Sequence, residues 1–269
     1  MAHPLQTLVD ICSNPGTAAR LLRGTFRARR YTSLFAPNSI RNAAPAAPAP
    51  SANPLRNFFD ANHSGPGIWK WTHYFDAYVR HLSRFVGQDV HVLEIGVYSG
   101  GSLRMWRDFF GDRCQIYGVD VEPACRQYEN AHTRIFIGDQ ADRAFWHRLR
   151  RDVPRLDIVV DDGGHRAEQQ IVTLEETLPF LSPGGVYLCE DIHGATNAFH
   201  SYVYGLVTEL SHYAGRERRD GGLASETNGW QSQIASIHQY PYLTVIERHP
   251  QSVAELVAPK QGTEWQPFL

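Results

Sequence analysis

The chain has little cysteine: four in 269 residues, Cys12, Cys114, Cys125 and Cys189, with no CxxC spacing. A protein of this length needs no disulfide staples, so a disulfide framework is excluded. Cys189 falls in an apolar run and reads as a small buried hydrophobe. Long hydrophobic runs are also missing. Nothing approaches the roughly 18 apolar residues of a membrane span, and residues 1–30 lack the apolar core of a signal peptide. A cytoplasmic protein with no membrane partner is expected. Charge of one sign is not in surplus either: 26 Lys and Arg against 28 Asp and Glu give a formal net charge of −2. That balance points away from nucleic acid as a partner. The local exception, Arg20, Arg23, Arg27, Arg29 and Arg30, reads as a solvated helix face. What is present is ordinary for a globular protein, 42% hydrophobic and 20% charged.

Residues 36–54 are rich in Ala and Pro and read as an extended linker. They separate a basic N-terminal segment (1–35, helical from about Thr17 to Arg30) from a main domain at 55–269. Trp69 to Phe85 carries large apolar residues at helical spacing, with Trp71, Phe75, Tyr78, Val79 and Leu82 able to share a face. Short apolar runs then alternate with helical stretches. Val90–Ile95 ends in Glu and Gly, Gln115–Val119 precedes Asp120, and Thr133–Ile137 precedes Gly138 and Asp139. Leu156–Val160 precedes Asp161 and Asp162, and Val186–Cys189 precedes Glu190 and Asp191. Residues 102–110 and 167–181 read as helices, the latter stopping at a turn over Ser182 to Gly185. Ile234–His238 and Leu243–Ile246 read as two strands around Tyr240 to Tyr242. Apolar strands alternating with helices imply an α/β fold with a doubly wound, mostly parallel sheet. Ligands of such sheets bind beyond the carboxyl ends of the strands, where the glycines and carboxylates gather.

At the first strand end, Gly96, Gly100 and Gly101 permit a tight turn and close ligand approach. The spacing departs from G-x-G-x-x-G, and Glu94 would repel a pyrophosphate. A ligand carrying an ammonium and a sulfonium suits that carboxylate. Asp120, about 20 residues on, is placed to accept from ribose hydroxyls. Further along, Asp161 and Asp162 point to opposite faces of their strand, so one is expected beside the cofactor and the other beside the substrate. With Glu190 and Asp191 next door, three or four carboxylates converge with little positive charge in view. A hard divalent cation such as magnesium would resolve that repulsion. Helix or turn capping by the same carboxylates is the plainer alternative. His165, after two glycines, is positioned as general base for a hydroxyl proton, and His193 is a second candidate.

The run ExGxxxGGS from Glu94 to Ser102, Asp120 at a strand end and Gly138-Asp139-Gln140 resemble class I S-adenosylmethionine-dependent methyltransferases. The resemblance implies a seven-stranded, Rossmann-like sheet with an antiparallel C-terminal strand pair. It places Glu94, Gly96 and Gly100 at the methionine portion, Asp120 at the ribose, and Asp139 and Gln140 at the adenine side. Tyr98, Ser99, Val121, Gly138 and Asp161 join that cofactor set. Tyr98 departs from the pattern, since many members carry glycine there. Across residues 63–195, GIWKWTHYF, DIVVDDGGHRAEQQ and LSPGGVYLCEDIHGA look like the macrocin and mycinamicin type of sugar O-methyltransferases. This implies Asp162, Glu190 and Asp191 as magnesium ligands, His165 with Asp162 in catalysis, and a hydroxylated small molecule as acceptor, a sugar of a glycosylated natural product. It also implies a homo-oligomer. Cephalosporin-hydroxylase-like proteins share the acidic pattern, so cofactor binding without methylation is one alternative. A nicotinamide oxidoreductase is another. Trp69, Trp71, Tyr74, Tyr202, Tyr204 and Trp230 could wall an acceptor pocket or belong to the core. Residues 214–229 read as a mobile loop over the cleft.

Overall fold

The computed structural model describes residues 15–33, 53–194 and 196–264, and the chain divides into two compact units, residues 1–50 and 51–269. In the first, helix α1 (Pro15–Thr32) is two residues longer at each end than expected. Its Arg23, Arg27, Arg29 and Arg30 are exposed, as a solvated face should be. Most of the expected linker lies outside the described residues. Its last two positions instead start a helix: Asn53 caps α2 (Pro54–Ala61), its side chain accepting from the Arg56 amide. A proline in the first turn, where no amide is needed, suits that start.

The second unit is built on a seven-stranded sheet ordered β3-β2-β1-β4-β5-β9-β8. The strands are β1 (His91–Ile95), β2 (Gln115–Asp120), β3 (Thr133–Ile137), β4 (Leu156–Asp161), β5 (Leu181–Cys189), β8 (Ile234–Tyr240) and β9 (Leu243–Arg248). β1 to β5 run parallel, while β9 pairs antiparallel with β5 and β8 with β9. Alternate residues of each strand serve opposite faces, and two cores result. Val92, Ile116, Ile158, Val160 and Leu188 pack with α3 (Tyr74–Leu82) and α4 (Gly101–Phe110). Leu93, Ile95, Val119, Val159 and Tyr187 pack with α5 (Arg143–Asp152), α6 (Ala167–Thr177) and α7 (Ala198–Glu209). With near-continuous apolar strands covered on both sides, the sheet matches the doubly wound expectation.

Three local expectations are corrected. The Trp69–Phe85 helix begins only at Tyr74, and its buried face is Tyr74, Phe75, Ala77, Tyr78, His81 and Leu82. Residues 68–71 belong to no helix or strand, and Trp71 is half exposed. Ser182 to Gly185 does not end a helix in a turn. Helix α6 stops at Thr177, and β5 already runs through those residues, with a register shift against β4. Residues 214–229 form β6 (Gly215–Glu217) and β7 (Leu223–Glu226), which join β10 (Glu255–Ala258) in a three-stranded antiparallel sheet. Backbone pairing thus replaces the mobile loop that polar composition suggested. No described helix is long and apolar enough to cross a membrane.

Candidate active site

The carboxyl ends of β1 to β5 open into one cleft of about 660 Å³. Its floor is set by the turn after β1. Gly96 adopts φ +90°, and a β-carbon there would meet the Asp162 carbonyl oxygen at 2.0 Å. Gly100, at φ +71°, lies against the Tyr128 ring. The two glycines therefore allow protein segments to pack closely, the Gly96 loop on the loop after β4. Tyr98, at φ +47°, holds a left-handed conformation without being glycine. The Asp120 carboxylate supports it, accepting from the Tyr98 amide at 3.0 Å and the Glu122 amide at 2.9 Å.

Gly96, Tyr98, Asp120, Val121, Gly138, Asp139 and Gln140 line one end of the cleft. The Gln140 side chain faces inward. Its Nε2 donates to Asp161 Oδ1 (2.9 Å) and Thr173 Oγ1 (3.0 Å), and its Oε1 accepts from the Gly164 amide (2.7 Å). It therefore locks the loop after β4 to α6.

Four residues of the expected cofactor set do not line the cleft: Glu94, Ser99, Gly100 and Asp161. Asp161 shares the sheet face of Val159, is buried, and accepts from Gln140 and the Tyr187 hydroxyl. The expected opposition of Asp161 and Asp162 holds, but the inward partner is structural. Burial raises the Asp161 carboxyl to about 7 against the pull of its hydrogen bonds. Glu94 is fully buried and accepts from Ser102 Oγ at 2.8 Å.

The other end holds the acidic strand termini, and here the expectation of little positive charge fails. Lys70, from the irregular segment before α3, inserts a buried ammonium 2.7 Å from Asp162 Oδ2, 3.1 Å from Glu190 Oε2 and 3.3 Å from Glu94 Oε1. Burial alone would lower the Lys70 pKa, but the three carboxylates outweigh it and hold the pKa well above the ordinary value. Glu190 is fully engaged, its Oε1 accepting from Tyr78 OH at 2.6 Å. Burial raises its carboxyl to about 8, with Lys70 opposing. Glu190, expected as a metal ligand, lines the cleft with its oxygens hydrogen-bonded to an ammonium and a phenol.

Asp162, His165 and Asp191 do converge, each offering a ligand atom within 4.8 Å of the others. His165 Nε2 lies 3.8 Å from Asp191 Oδ2, and His193 Nε2 lies 4.0 Å from Asp191 Oδ1. Tyr74 OH, 2.9 Å from Asp191 Oδ1, fixes that carboxylate and accepts from the Asp191 amide at 3.2 Å. His165 and Asp191 both sit at φ +55°, a strained placement of the kind concentrated at functional sites. Lys70 and Tyr78 were missed as site residues. Tyr78 shows in the sequence only as a core position, and Lys70 only as a charge between two tryptophans. Among the aromatic candidates, Trp69, Trp71 and Tyr74 line the cleft. Tyr202 instead donates to Glu175, and Trp230 packs on the α5–α7 core. Tyr204 is exposed on α7 and does not line the cleft.

Residues 93–192 match a family model described as a methyltransferase domain. The 8-demethyl-8-alpha-L-rhamnosyl tetracenomycin-C 2'-O-methyltransferase of Streptomyces olivaceus is 33% identical over 208 residues, 70% of this chain and 53% of that protein. The mycinamicin VI 2''-O-methyltransferase of Micromonospora griseorubida is 39% identical over 122 residues, 43% of this chain and 30% of that protein. The solved MycE methyltransferase, in complex with Mg, SAH and mycinamycin VI, superposes with a TM-score of 0.60 at 27% identity, covering 72% of this chain and 53% of that one. The chain spans about half the length, or less, of these relatives.

Proposed function

We propose that this chain, whose sheet is that of the class I methyltransferases, transfers a methyl group from S-adenosylmethionine to a sugar hydroxyl of a glycosylated small molecule, with a divalent cation assisting. What carries the reading is one cleft lined both by Gly96, Asp120 and Asp139 and by Asp162, His165 and Asp191, the last three converging. S-adenosylmethionine would supply an electrophilic methyl, and the cation would stabilise charge developing on the acceptor oxygen. Asp162 and Asp191 suit a hard cation, being oxygen donors with partial exposure. A hard cation leaves His165, a nitrogen donor, free to act as base. The acceptor oxygen then bonds the methyl carbon as the carbon–sulfur bond breaks. Sulfur leaves as a neutral thioether, and the hydroxyl proton passes to His165. A positioned base of this kind contributes about 10²–10⁴-fold.

The cleft also favours an uncharged acceptor. Its lining carries Asp120, Asp139, Asp162, Glu190 and Asp191, while its cation, Lys70, is buried against three carboxylates. A sugar still bearing a pyrophosphate would meet repulsion there, which supports methylation after glycosyl transfer. The same acidity disfavours a nicotinamide dinucleotide. Calorimetric titration with S-adenosylhomocysteine, with and without magnesium, tests the cofactor, and NADH is the control. Micromolar binding of S-adenosylhomocysteine is expected, and so is its formation from S-adenosylmethionine when a rhamnosyl or related glycoside is added. Binding of NADH in its place would overturn the reading. S-adenosylhomocysteine binding with no turnover of S-adenosylmethionine against a panel of glycosides would favour the non-methylating alternative.

A further inference from the structure

Beside Asp191 stands a group of aromatic side chains that neither core absorbs. Trp71 and His193 line the cleft, with ring centroids 6.2 Å apart. Tyr242, from the β8–β9 hairpin turn, backs both, at 5.4 Å from Trp71 and 4.8 Å from His193. Trp71 is 47% exposed, and Tyr242 is 41% exposed. Folding therefore leaves a large part of both ring surfaces in water beside the cleft.

Tyr242 carries a second signature. It sits at φ +62° in the two-residue turn, Pro241 and Tyr242, between β8 and β9. Such turns favour Gly or Asn at positive φ, and a tyrosine there is strained. The backbone holds it in place: the Ile192 amide donates to the Tyr242 carbonyl at 3.0 Å, and His73 Nε2 contacts the Pro241 carbonyl at 2.8 Å. The wall is also pinned from the other side, since Lys70, adjacent to Trp71, is buried among the carboxylates.

Building on the methyltransferase reading above, we propose that Trp71 and His193, held from behind by Tyr242, form the acceptor platform, receiving the apolar C–H face of a neutral pyranose ring. One face of a pyranose presents C–H groups, which suit the negative face of an aromatic ring, while its hydroxyls project from the rim. A ring resting on this wall turns adjacent hydroxyls toward Asp162, His165 and Asp191. The wall thus selects a sugar ring and orients it, and the carboxylates and imidazole act on the hydroxyl presented. The strain at Tyr242 is retained because glycine, which would relieve it, has no ring.

The test uses the full chain and para-nitrophenyl alpha-L-rhamnopyranoside, chosen because a rhamnosyl-modifying relative is 33% identical. Saturation-transfer NMR reads binding to the wild type, Trp71→Ala and Tyr242→Gly, and methyl transfer is followed separately. The wild type is expected to saturate the C–H protons of the sugar. Both variants should lose that transfer and, where turnover is measurable, raise KM at least tenfold while the Kd for S-adenosylhomocysteine moves less than twofold. Tyr242→Gly should fold with an unchanged or higher melting temperature, which separates lost binding from lost structure. Wild-type saturation that both variants retain would overturn the platform, and so would its absence in the wild type. A parallel loss of S-adenosylhomocysteine affinity would also overturn it. Saturation without turnover that is lost in the variants supports the platform and removes the methyl-transfer reading alone.

Discussion

His165 and Asp191 differ in what each can do although they stand 3.8 Å apart. The imidazole offers a ring nitrogen as a proton acceptor, whereas the carboxylate, fixed by Tyr74 OH at 2.9 Å, offers oxygens to a cation. Their substitutions should therefore fail differently. His165→Ala is expected to lower kcat by about 10²–10⁴-fold and to leave S-adenosylhomocysteine affinity within twofold, read by calorimetry. Asp191→Asn should lose magnesium affinity and, with it, turnover; magnesium titration of the variant at wild-type strength would show that the ion sits elsewhere. Glu190, placed after β5, accepts from both Tyr78 and Lys70 at the edge of the same cleft.

At the scale of elements, the irregular segment before α3 acts as a strap fastened by one side chain. Lys70 joins the ends of β1, β4 and β5 through Glu94, Asp162 and Glu190. Replacing it by methionine leaves three carboxylates close together without their shared cation. Removing one partner of a buried ion pair costs about 3–5 kcal/mol, so Lys70→Met should lower the urea midpoint by a corresponding amount. An unchanged midpoint would mean that the strap is held by its aromatics instead. The helix expected over Trp69–Phe85 was legible in its second half, where the apolar spacing is real. Its first half was not, because an ammonium bound to three strand ends overrides local helical preference.

Over the whole molecule, buried carboxylates couple stability to pH. Asp161 is raised to about 7 in the folded chain against an ordinary value near 3.8. A raised pKa means that the folded state holds the proton more tightly than the unfolded one. Its contribution is complete below the unfolded value and is lost as pH climbs through about 7. Between pH 4 and 8 the wild type should therefore lose more stability than Asp161→Asn, measured as the difference between their urea midpoints at the two ends. Parallel pH profiles for the two proteins would place the ionised Asp161 comfortably in the fold.

The sequence alone determined the parallel sheet, the order of its first five strands along the chain, the antiparallel hairpin after them, and the crowding of glycines and carboxylates at the strand ends. These are local matters: apolar runs, turn residues and two-residue alternation are written within a few positions of one another. Alternation also announced that Asp161 and Asp162 face opposite ways. Which of them meets the cleft was decided by the tertiary structure, through Gln140 reaching back 21 residues to Asp161. The same holds for the acidic cluster, in which Asp162 is shared between Lys70 and the group that it forms with His165 and Asp191 in the cleft. Lys70 meets Asp162 across 92 residues and Glu190 across 120. Coulomb attraction depends on distance in space and on burial, neither of which a linear spacing contains.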